Sequence, residues 1–436
     1  MDNRKDDIPD EHHRPTTGEW LPQDHRSHNK WLSGVAEHVE KHPKELHPCL
    51  RDFKAAIQAN TNLTMLSQAM FDQVPRRKPY NKSVDQNQVI RNFDQLLAVL
   101  NHILSTGPEW TERAHRVGVV GVPINAALDY NMGTTAGFAF FLDDNVNRHI
   151  KKILDVWGDF LKTEESAKCL DGWLDQGISS LSDVANQASS TDKSFEQLFK
   201  CDPSKKYHGY KSWDDFFTRE LQEGARPIAS PEDDNVIANA CESKTYCVQR
   251  DIKYRDKFWI KGQPYSACDM LGHDELAKKF TGGTVYQAFL SALSYHRWHS
   301  PVSGKIVKKY IVPGTYYSEP EWEDFTETQD ADTHAQTPSQ GYLSASATRA
   351  VMFIEADNPA IGLMAMIAIG MTEVSTCDMT VEQGQHVKKG DQLGMFHFGG
   401  SSHTLLFRKG VKVTGFPEPG ASHNVPIRSK LAVVEA

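Results

Sequence analysis

Met395-Phe396-His397-Phe398-Gly399-Gly400-Ser401-Ser402-His403-Thr404-Leu405-Leu406-Phe407 sets two glycines and two serines between apolar, β-prone runs. Glycine carries no Cβ, so the Gly399 and Gly400 carbonyls are sterically open. The next residue brings a hydroxyl that can attack the carbonyl before it. Strand-forming residues on both sides would hold such a junction rigid. The plainer reading of the same four residues is a glycine bend with two solvated serines, so the rest of the chain has to decide.

At 436 residues and 39% hydrophobic content, the chain can bury a large core and is long enough for two domains. A formal net charge of -9 argues against nucleic-acid binding, which calls for a basic stripe. The seven cysteines are scattered without paired zinc spacing, which points to reduced thiols in a cytoplasmic setting. No H-E-x-x-H spacing occurs among the nineteen histidines, and no metal site is assigned. Met1 to Pro15 is rich in Asp, Glu, His and Arg and lacks the apolar stretch of a signal peptide. The longest apolar run, Ile361 to Met371, is far short of the roughly 20 residues that span a bilayer, so no stable membrane insertion is expected.

Residues 1–28 are polar and are expected to be disordered. Residues 29–205 form a helix-rich domain. Leu50 to Val74, Gln86 to Leu104 and Asn145 to Leu161 repeat apolar residues at spacings of three and four, as in Val89, Phe93, Leu96, Leu97 and Leu100. Residues 206–436 turn to short strands between turns: Val236-Ile237, Tyr246 to Val248, Lys305 to Val307, Val351 to Ile354, Leu363 to Ile369 and Val411 to Val413. Ser318 to Tyr342 is expected to be a mobile surface insertion. Pro301 to Val307 and Val381 to Gly394 resemble the two halves of a biotinyl- or lipoyl-carrier β-sandwich, without the modifiable lysine at a hairpin tip. The fold class is therefore α+β, with a helical N-terminal domain and a mostly β C-terminal domain that contains a carrier-like sandwich.

Three segments carry the chemistry: Tyr295-His296-Arg297-Trp298-His299-Ser300-Pro301, Ala240-Cys241-Glu242-Ser243 and the Gly-Gly-Ser-Ser run. They supply base, orienting carboxylate and nucleophile, since a serine hydroxyl needs a base and a histidine base improves when a carboxylate fixes its tautomer.

Together these segments resemble the pyruvoyl-dependent phosphatidylserine decarboxylase family. Tyr210-Lys211-Ser212-Trp213-Asp214-Asp215-Phe216-Phe217-Thr218-Arg219-Glu220-Leu221 and Gly224-Ala225-Arg226-Pro227-Ile228 are similar to that family's leading segment. Tyr295 to Pro301 matches its double-histidine motif, and Gly400-Ser401-Ser402 its cleavage motif. The resemblance implies self-cleavage between Gly400 and Ser401, with Ser402 as the alternative precursor. Ser401 would become a covalent pyruvoyl group, and fragments 1–400 and 401–436 would stay associated. It further implies a Schiff base between substrate amine and pyruvoyl ketone, with no pyridoxal phosphate. His299 would act in self-processing, and His296 would bind the substrate carboxylate or assist protonation. Glu242 stands where the family has an Asp, which leaves the orienting residue open between Glu242 and the nearby Asp233 and Asp234.

Ala240 to Ser243, Tyr295 to His299, Phe353 to Asn358, Ile369 to Glu373 and Gly394 to Ser402, taken with the helical extension, look like the fungal L-tryptophan decarboxylase branch. The substrate expected on that basis is a free aromatic L-amino acid, L-tryptophan first, going to tryptamine and carbon dioxide. Phosphatidylserine, going to phosphatidylethanolamine, is the alternative. An unprocessed, non-enzymatic scaffold is the second.

Overall fold

A computed structural model of the chain describes residues 25–76, 89–110, 121–256, 265–320, 339–373, 376–420 and 423–435. Helices fill its first half: α1 (His25–Lys41), α2 (Pro48–Gln58), α3 (Thr61–Asp72), α4 (Phe93–Ile103), α5 (Pro123–Met132), α6 (Thr135–Leu142) and α7 (Asp144–Leu161). The apolar period from Leu50 to Val74 is divided between α2 and α3. Asn60 causes the break, because its side-chain oxygen accepts from the Asn62 and Leu63 N–H groups and caps a new helix. Chain order also begins earlier than the sequence suggests. α1 starts at His25, and His28, expected in a disordered leader, is fully buried with Nε2 2.6 Å from the Ala126 carbonyl. Residues 1–24 lie outside the described residues.

From Val236 onward the elements are mainly strands. β2 (Lys244–Arg250), β3 (Thr284–Leu290), β5 (Gly304–Val312), β6 (Arg349–Ala356), β7 (Leu363–Gly370), β9 (His386–Val387) and β11 (Ser401–Phe407) form a seven-stranded sheet in the order β2-β3-β11-β7-β6-β5-β9. β4 (Arg297–His299), β10 (Gln392–His397) and β8 (Thr376–Met379) form one three-stranded sheet, with β10 central. β1 (Val236–Ala238), β13 (Lys430–Val434) and β12 (Val413–Thr414) form another. The strand expected over Val411 to Val413 thus begins only at Val413.

The two carrier-like segments pair with each other. Gly304 lies opposite Val387 and Lys305 opposite His386, while Ser300 and the Gly390-Asp391 turn exchange backbone hydrogen bonds of 2.7 and 2.8 Å. The flanks of the expected insertion are not a loose surface loop: Ser318, Glu319 and Gln340 are buried, and the Ser318 and Tyr342 hydroxyls lie 2.7 Å apart. Residues 321–338, its centre, lie outside the described residues.

The large sheet is covered on both faces. Side chains alternate along a strand, so Leu405 and Phe407 of β11 join Tyr286, Met366, Trp298 and Phe396 in one core, and Leu406 joins Val285, Ile367 and Tyr342 in the other. A third core fills the helical half and runs on into Tyr295, Tyr317 and Phe398 of the C-terminal half. The helices therefore pack directly on the Phe398-Gly399-Gly400-Ser401 junction.

On α7, the Trp157 ring meets Phe398 edge-on at 5.5 Å. A Cβ placed on Gly158 would sit 2.5 Å from the Phe398 Cζ. Gly158→Ala should accordingly cost about 1–3 kcal/mol by overpacking and slow the maturation of the junction, read by denaturant unfolding and by the time course of chain cleavage.

Candidate active site

Strand β11 begins at Ser401 itself, and it is the middle of the junction between β3 and β7. Ser401 pairs with Leu290 on one side and with Gly370 on the other. By strand alternation, Ser401 and His403 share the face of Leu405, toward the layer that contains Trp298 of β4. Ser402 faces the opposite way, where Gln287 Nε2 donates to its hydroxyl at 3.3 Å. The Ser401 hydroxyl is fully buried and has no hydrogen-bond partner among the described residues.

The chain is bent sharply just before Ser401. Phe398 has φ 38° and Gly399 φ 98°, and across the junction Thr372 has φ 53°. Glycine takes this region at no cost, but phenylalanine and threonine are strained there by about 1–3 kcal/mol each. The junction is held by two contacts from the end of β7. The Met371 N–H donates to the Gly400 carbonyl at 2.9 Å, and the Gly400 N–H donates to Thr372 Oγ1 at 3.3 Å. A backbone donor fixed on that carbonyl is also the group that would stabilise negative charge developing on its oxygen.

His299 sits on β4, fully covered. Its Nδ1 lies 2.8 Å from the Gly390 carbonyl, which also accepts from Arg428 Nε at 3.0 Å. Nδ1 also faces Arg428 Nε at 3.2 Å, so both tautomers find partners: Nδ1 donates to Gly390 or accepts from Arg428, while Nε2 meets the Tyr295 hydroxyl at 3.1 Å. Burial, with the Arg428 charge adding to it, pushes His299 down to about 3, so the ring is neutral. His296 stacks on Phe217 with centroids 3.9 Å apart and places Nε2 3.2 Å from the Ser291 carbonyl, just beyond the β3 residue that faces Ser401. Burial and then the Arg219 charge hold its pKa well below the ordinary histidine value.

Glu242 is placed differently from the sequence expectation. Its carboxylate takes a two-pronged contact from Arg226, 2.6 Å from Nη2 and 3.1 Å from Nε, and accepts from the Ile427 N–H at 2.8 Å. Among the described residues no hydrogen bond joins Glu242 to His299, whose ring is oriented by Gly390 instead. The reason is competition: a fully buried guanidinium demands a carboxylate, and Arg226 supplies the geometry that fits one. Asp233 lies in a turn, accepting from the Asn235 N–H at 3.0 Å. Neither His296, His299 nor Glu242 is hydrogen-bonded to the Ser401 hydroxyl.

Two further residues of the site escape the sequence reading. His403 is buried two residues beyond Ser401 on the same face, with neither ring nitrogen hydrogen-bonded, and burial pushes it down to about 3. Its signal is the i, i+2 relation to Ser401, which has meaning only once the segment is known to be a strand. Glu373 is fully buried two residues past Met371. Its Oε1 accepts from the Ile124 and Asn125 N–H groups at 2.6 and 2.9 Å, and burial pushes the carboxyl up to about 7. The available signal was an acid three residues past the end of an unbroken apolar strand. Cys268, Asp269 and His273 offer ligand atoms within 4.8 Å of one another. Arg255 approaches His273 Nδ1 at 3.4 Å and opposes a cation there. All seven cysteines are free thiols, and no helix among the described residues is long and apolar enough to cross a membrane.

Residues 47–182 and 213–426 match two family models, both described as phosphatidylserine decarboxylase. The chain is 46% identical over 312 residues to the decarboxylase iboD of Amanita muscaria, covering 68% of this chain and 87% of that protein. It is 38% identical over 347 residues to the L-tryptophan decarboxylase of Psilocybe cubensis, 76% of each chain. To the phosphatidylserine decarboxylase proenzyme of Fusobacterium nucleatum it is 35% identical over 221 residues, 50% of this chain and 67% of the other. A buried serine following an open, hydrogen-bonded carbonyl on a central strand thus belongs to a carboxy-lyase. The chain is a member of the phosphatidylserine decarboxylase family, a pyruvoyl-dependent family, and within it falls with the fungal decarboxylases.

Two measurements check the roles of the acids. Glu242→Ala should cost about 3–5 kcal/mol by leaving Arg226 buried and unpaired, while the double change Arg226→Met, Glu242→Leu recovers most of that loss and still matures. A stable double variant that fails to cleave would restore Glu242 as the orienting residue. For Glu373 the folded pKa is raised from 4.5 to about 7. Its stabilising contribution is therefore complete below 4.5 and is lost as pH rises through about 7. The melting temperature of Glu373→Gln minus that of the native chain should climb across that window.

Proposed function

We propose that the chain is a self-processing decarboxylase of a free aromatic L-amino acid, L-tryptophan first, giving tryptamine and carbon dioxide, in the cytoplasm. The observation that carries this reading is the Gly400 carbonyl pinned by the Met371 N–H beside a buried Ser401 hydroxyl with no competing partner. Maturation begins with that hydroxyl. Ser401 Oγ adds to the Gly400 carbonyl carbon and gives up its proton, with the oxygen's charge resting on the Met371 N–H. The C–N bond then breaks, leaving an ester and a free Ser401 amine. Loss of the Ser401 Cα proton expels the Gly400 carboxylate, and water replaces the nitrogen, releasing ammonia and leaving a ketone at position 401.

His299 serves as the base. With the proton on Nδ1 toward the Gly390 carbonyl, the Nε2 lone pair is available once the Tyr295 hydroxyl yields or relays. The orphaned Ser401 hydroxyl and the hydrogen-bonded carbonyl before it fit the residue from which a pyruvoyl group is made. When formed, that group supplies an electron sink for the pair released with carbon dioxide. His296, neutral and stacked beside the end of β3, holds the substrate carboxylate or returns a proton to carbon. Similarity to fungal L-tryptophan decarboxylases supports a free amino acid over a lipid.

Intact mass is the direct test. The native chain should yield 1–400 and a fragment of about 4 kDa whose mass is about 17 Da below that of a serine-started 401–436 peptide, whereas Ser401→Ala should stay whole at about 49.0 kDa. Release of tryptamine from L-tryptophan, with no phosphatidylethanolamine from phosphatidylserine, is the expected assay result. The reverse pattern would replace the substrate reading, and an uncut native chain would make the protein a scaffold.

A further inference from the structure

His403 stands beside the junction and has no task in the maturation steps above. It lies two residues past Ser401 on β11, so both side chains leave the same face of the strand, with Cα atoms about 7 Å apart. The imidazole is fully buried, and neither ring nitrogen has a hydrogen-bond partner among the described residues. Its partners across the ladder are Ala288 of β3 and Ala368 of β7, which offer only methyl groups. The Tyr286 ring lies 5.9 Å away, but its hydroxyl is taken up with Thr245 Oγ1 at 3.1 Å. Burial pushes His403 down to about 3, so the ring is neutral and carries one N–H and one lone pair, both unused. An apolar side chain would fill this place more favourably, because a buried donor left unpaired bears its full desolvation penalty. The other unpaired polar atom on this face of β11 is the Ser401 hydroxyl.

The second stage of maturation has a use for such a donor. Once the ester has formed, the Gly400 carboxyl holds two oxygens. One is the original carbonyl oxygen, which accepts from the Met371 N–H at 2.9 Å. The other is the former Ser401 Oγ, which projects from the face that His403 shares. In the elimination, His299 takes the Cα proton, a double bond forms between Cα and Cβ, and the Cβ–Oγ bond breaks with its electron pair passing to the Gly400 carboxylate. Negative charge therefore appears on an oxygen that the Met371 N–H does not serve. A donor already in place there lowers the barrier, since it needs no reorganisation as the charge develops. The Ser402 hydroxyl is on the opposite face with Gln287. The His403 ring has no hydrogen bond to give up in turning toward position 401.

We infer that His403 is a catalytic residue of maturation, its ring N–H donating to the former Ser401 oxygen as that oxygen leaves Cβ with the Gly400 carboxylate. No proton changes hands at the imidazole, so the neutral ring is the working form. The inference rests on the self-processing reading above and adds to it the group that serves the leaving oxygen.

His403→Leu and His403→Met remove the N–H and keep an apolar side chain in its place, while His403→Gln keeps a donor. For each full-length variant and the native chain, the melting temperature is recorded and cleavage is followed by intact mass, with and without hydroxylamine, which cuts an ester but leaves a peptide bond whole. The Leu and Met variants should melt no lower than the native chain and cleave about 100- to 1000-fold more slowly. Under hydroxylamine they should split between Gly400 and Ser401 and release a fragment that still begins with serine. The Gln variant should recover to within about tenfold of the native rate, and Ser401→Ala should stay whole under both conditions. Maturation of the Leu variant at the native rate overturns the inference. So does a folded, uncut Leu variant that resists hydroxylamine, because the block then precedes the ester. Failure of both apolar variants to fold overturns it as well, by making the imidazole a packing element of the core. All three results leave the self-processing reading standing if the native chain matures, whereas a native chain that stays uncut overturns that reading and the inference with it.

Discussion

The hydrogen bond from the Met371 N–H to the Gly400 carbonyl is the contact around which the rest of the molecule is arranged. It forms at the last rung between β7 and β11, where the ladder meets a left-handed turn. A strand end in solvent would leave that carbonyl to water. Here β11 is flanked by β3 and β7 and both faces of the sheet are covered, so carbonyl and hydroxyl are held dry and at fixed distance. Strain at Phe398 and Thr372 is tolerable only because surrounding packing over-determines it. Trp157 and Gly158 of α7 supply that packing from the helical half.

The position of β11 bears on the fate of a cut chain. A cut before Ser401 would sever one peptide bond, but the fragment 401–436 would still contain a strand bonded along both edges to β3 and β7 and, in β13, a strand paired with β1. Departure would require those ladders to open together and the two cores to be exposed. Association of two such pieces would follow from topology rather than from a covalent link.

Much of this was legible in the residues. The three-four spacing located α4 and α7, and short apolar runs between turn residues located β1, β2, β5, β6 and β7. Gly-Gly-Ser-Ser marked the bend that the structure places at the head of β11. What the chain did not reveal depends on partners far away in sequence. Ser401 and Ser402 are equivalent until the β11 register sends one to each face. Glu242 reads as a partner for His299, yet Arg226, sixteen residues away, takes it because a buried guanidinium outcompetes a neutral imidazole for a carboxylate. Asn60 as a cap inside a continuous apolar period was a local signal and was available. The partner of Glu373 was not, since the helix that meets it lies 249 residues away.

That separation gives the helical half a place in the chemistry. Were it only a cover, its contacts with the strand half would be apolar and interchangeable. Instead α5 aims its first N–H groups at Glu373, and α7 wedges Trp157 against Phe398, so helical elements touch both sides of the junction. A charge at a helix start is stabilised by the unsatisfied N–H groups there, yet Glu373 is buried deeply enough that its carboxyl is still pushed up to about 7. The two influences oppose each other, and desolvation prevails.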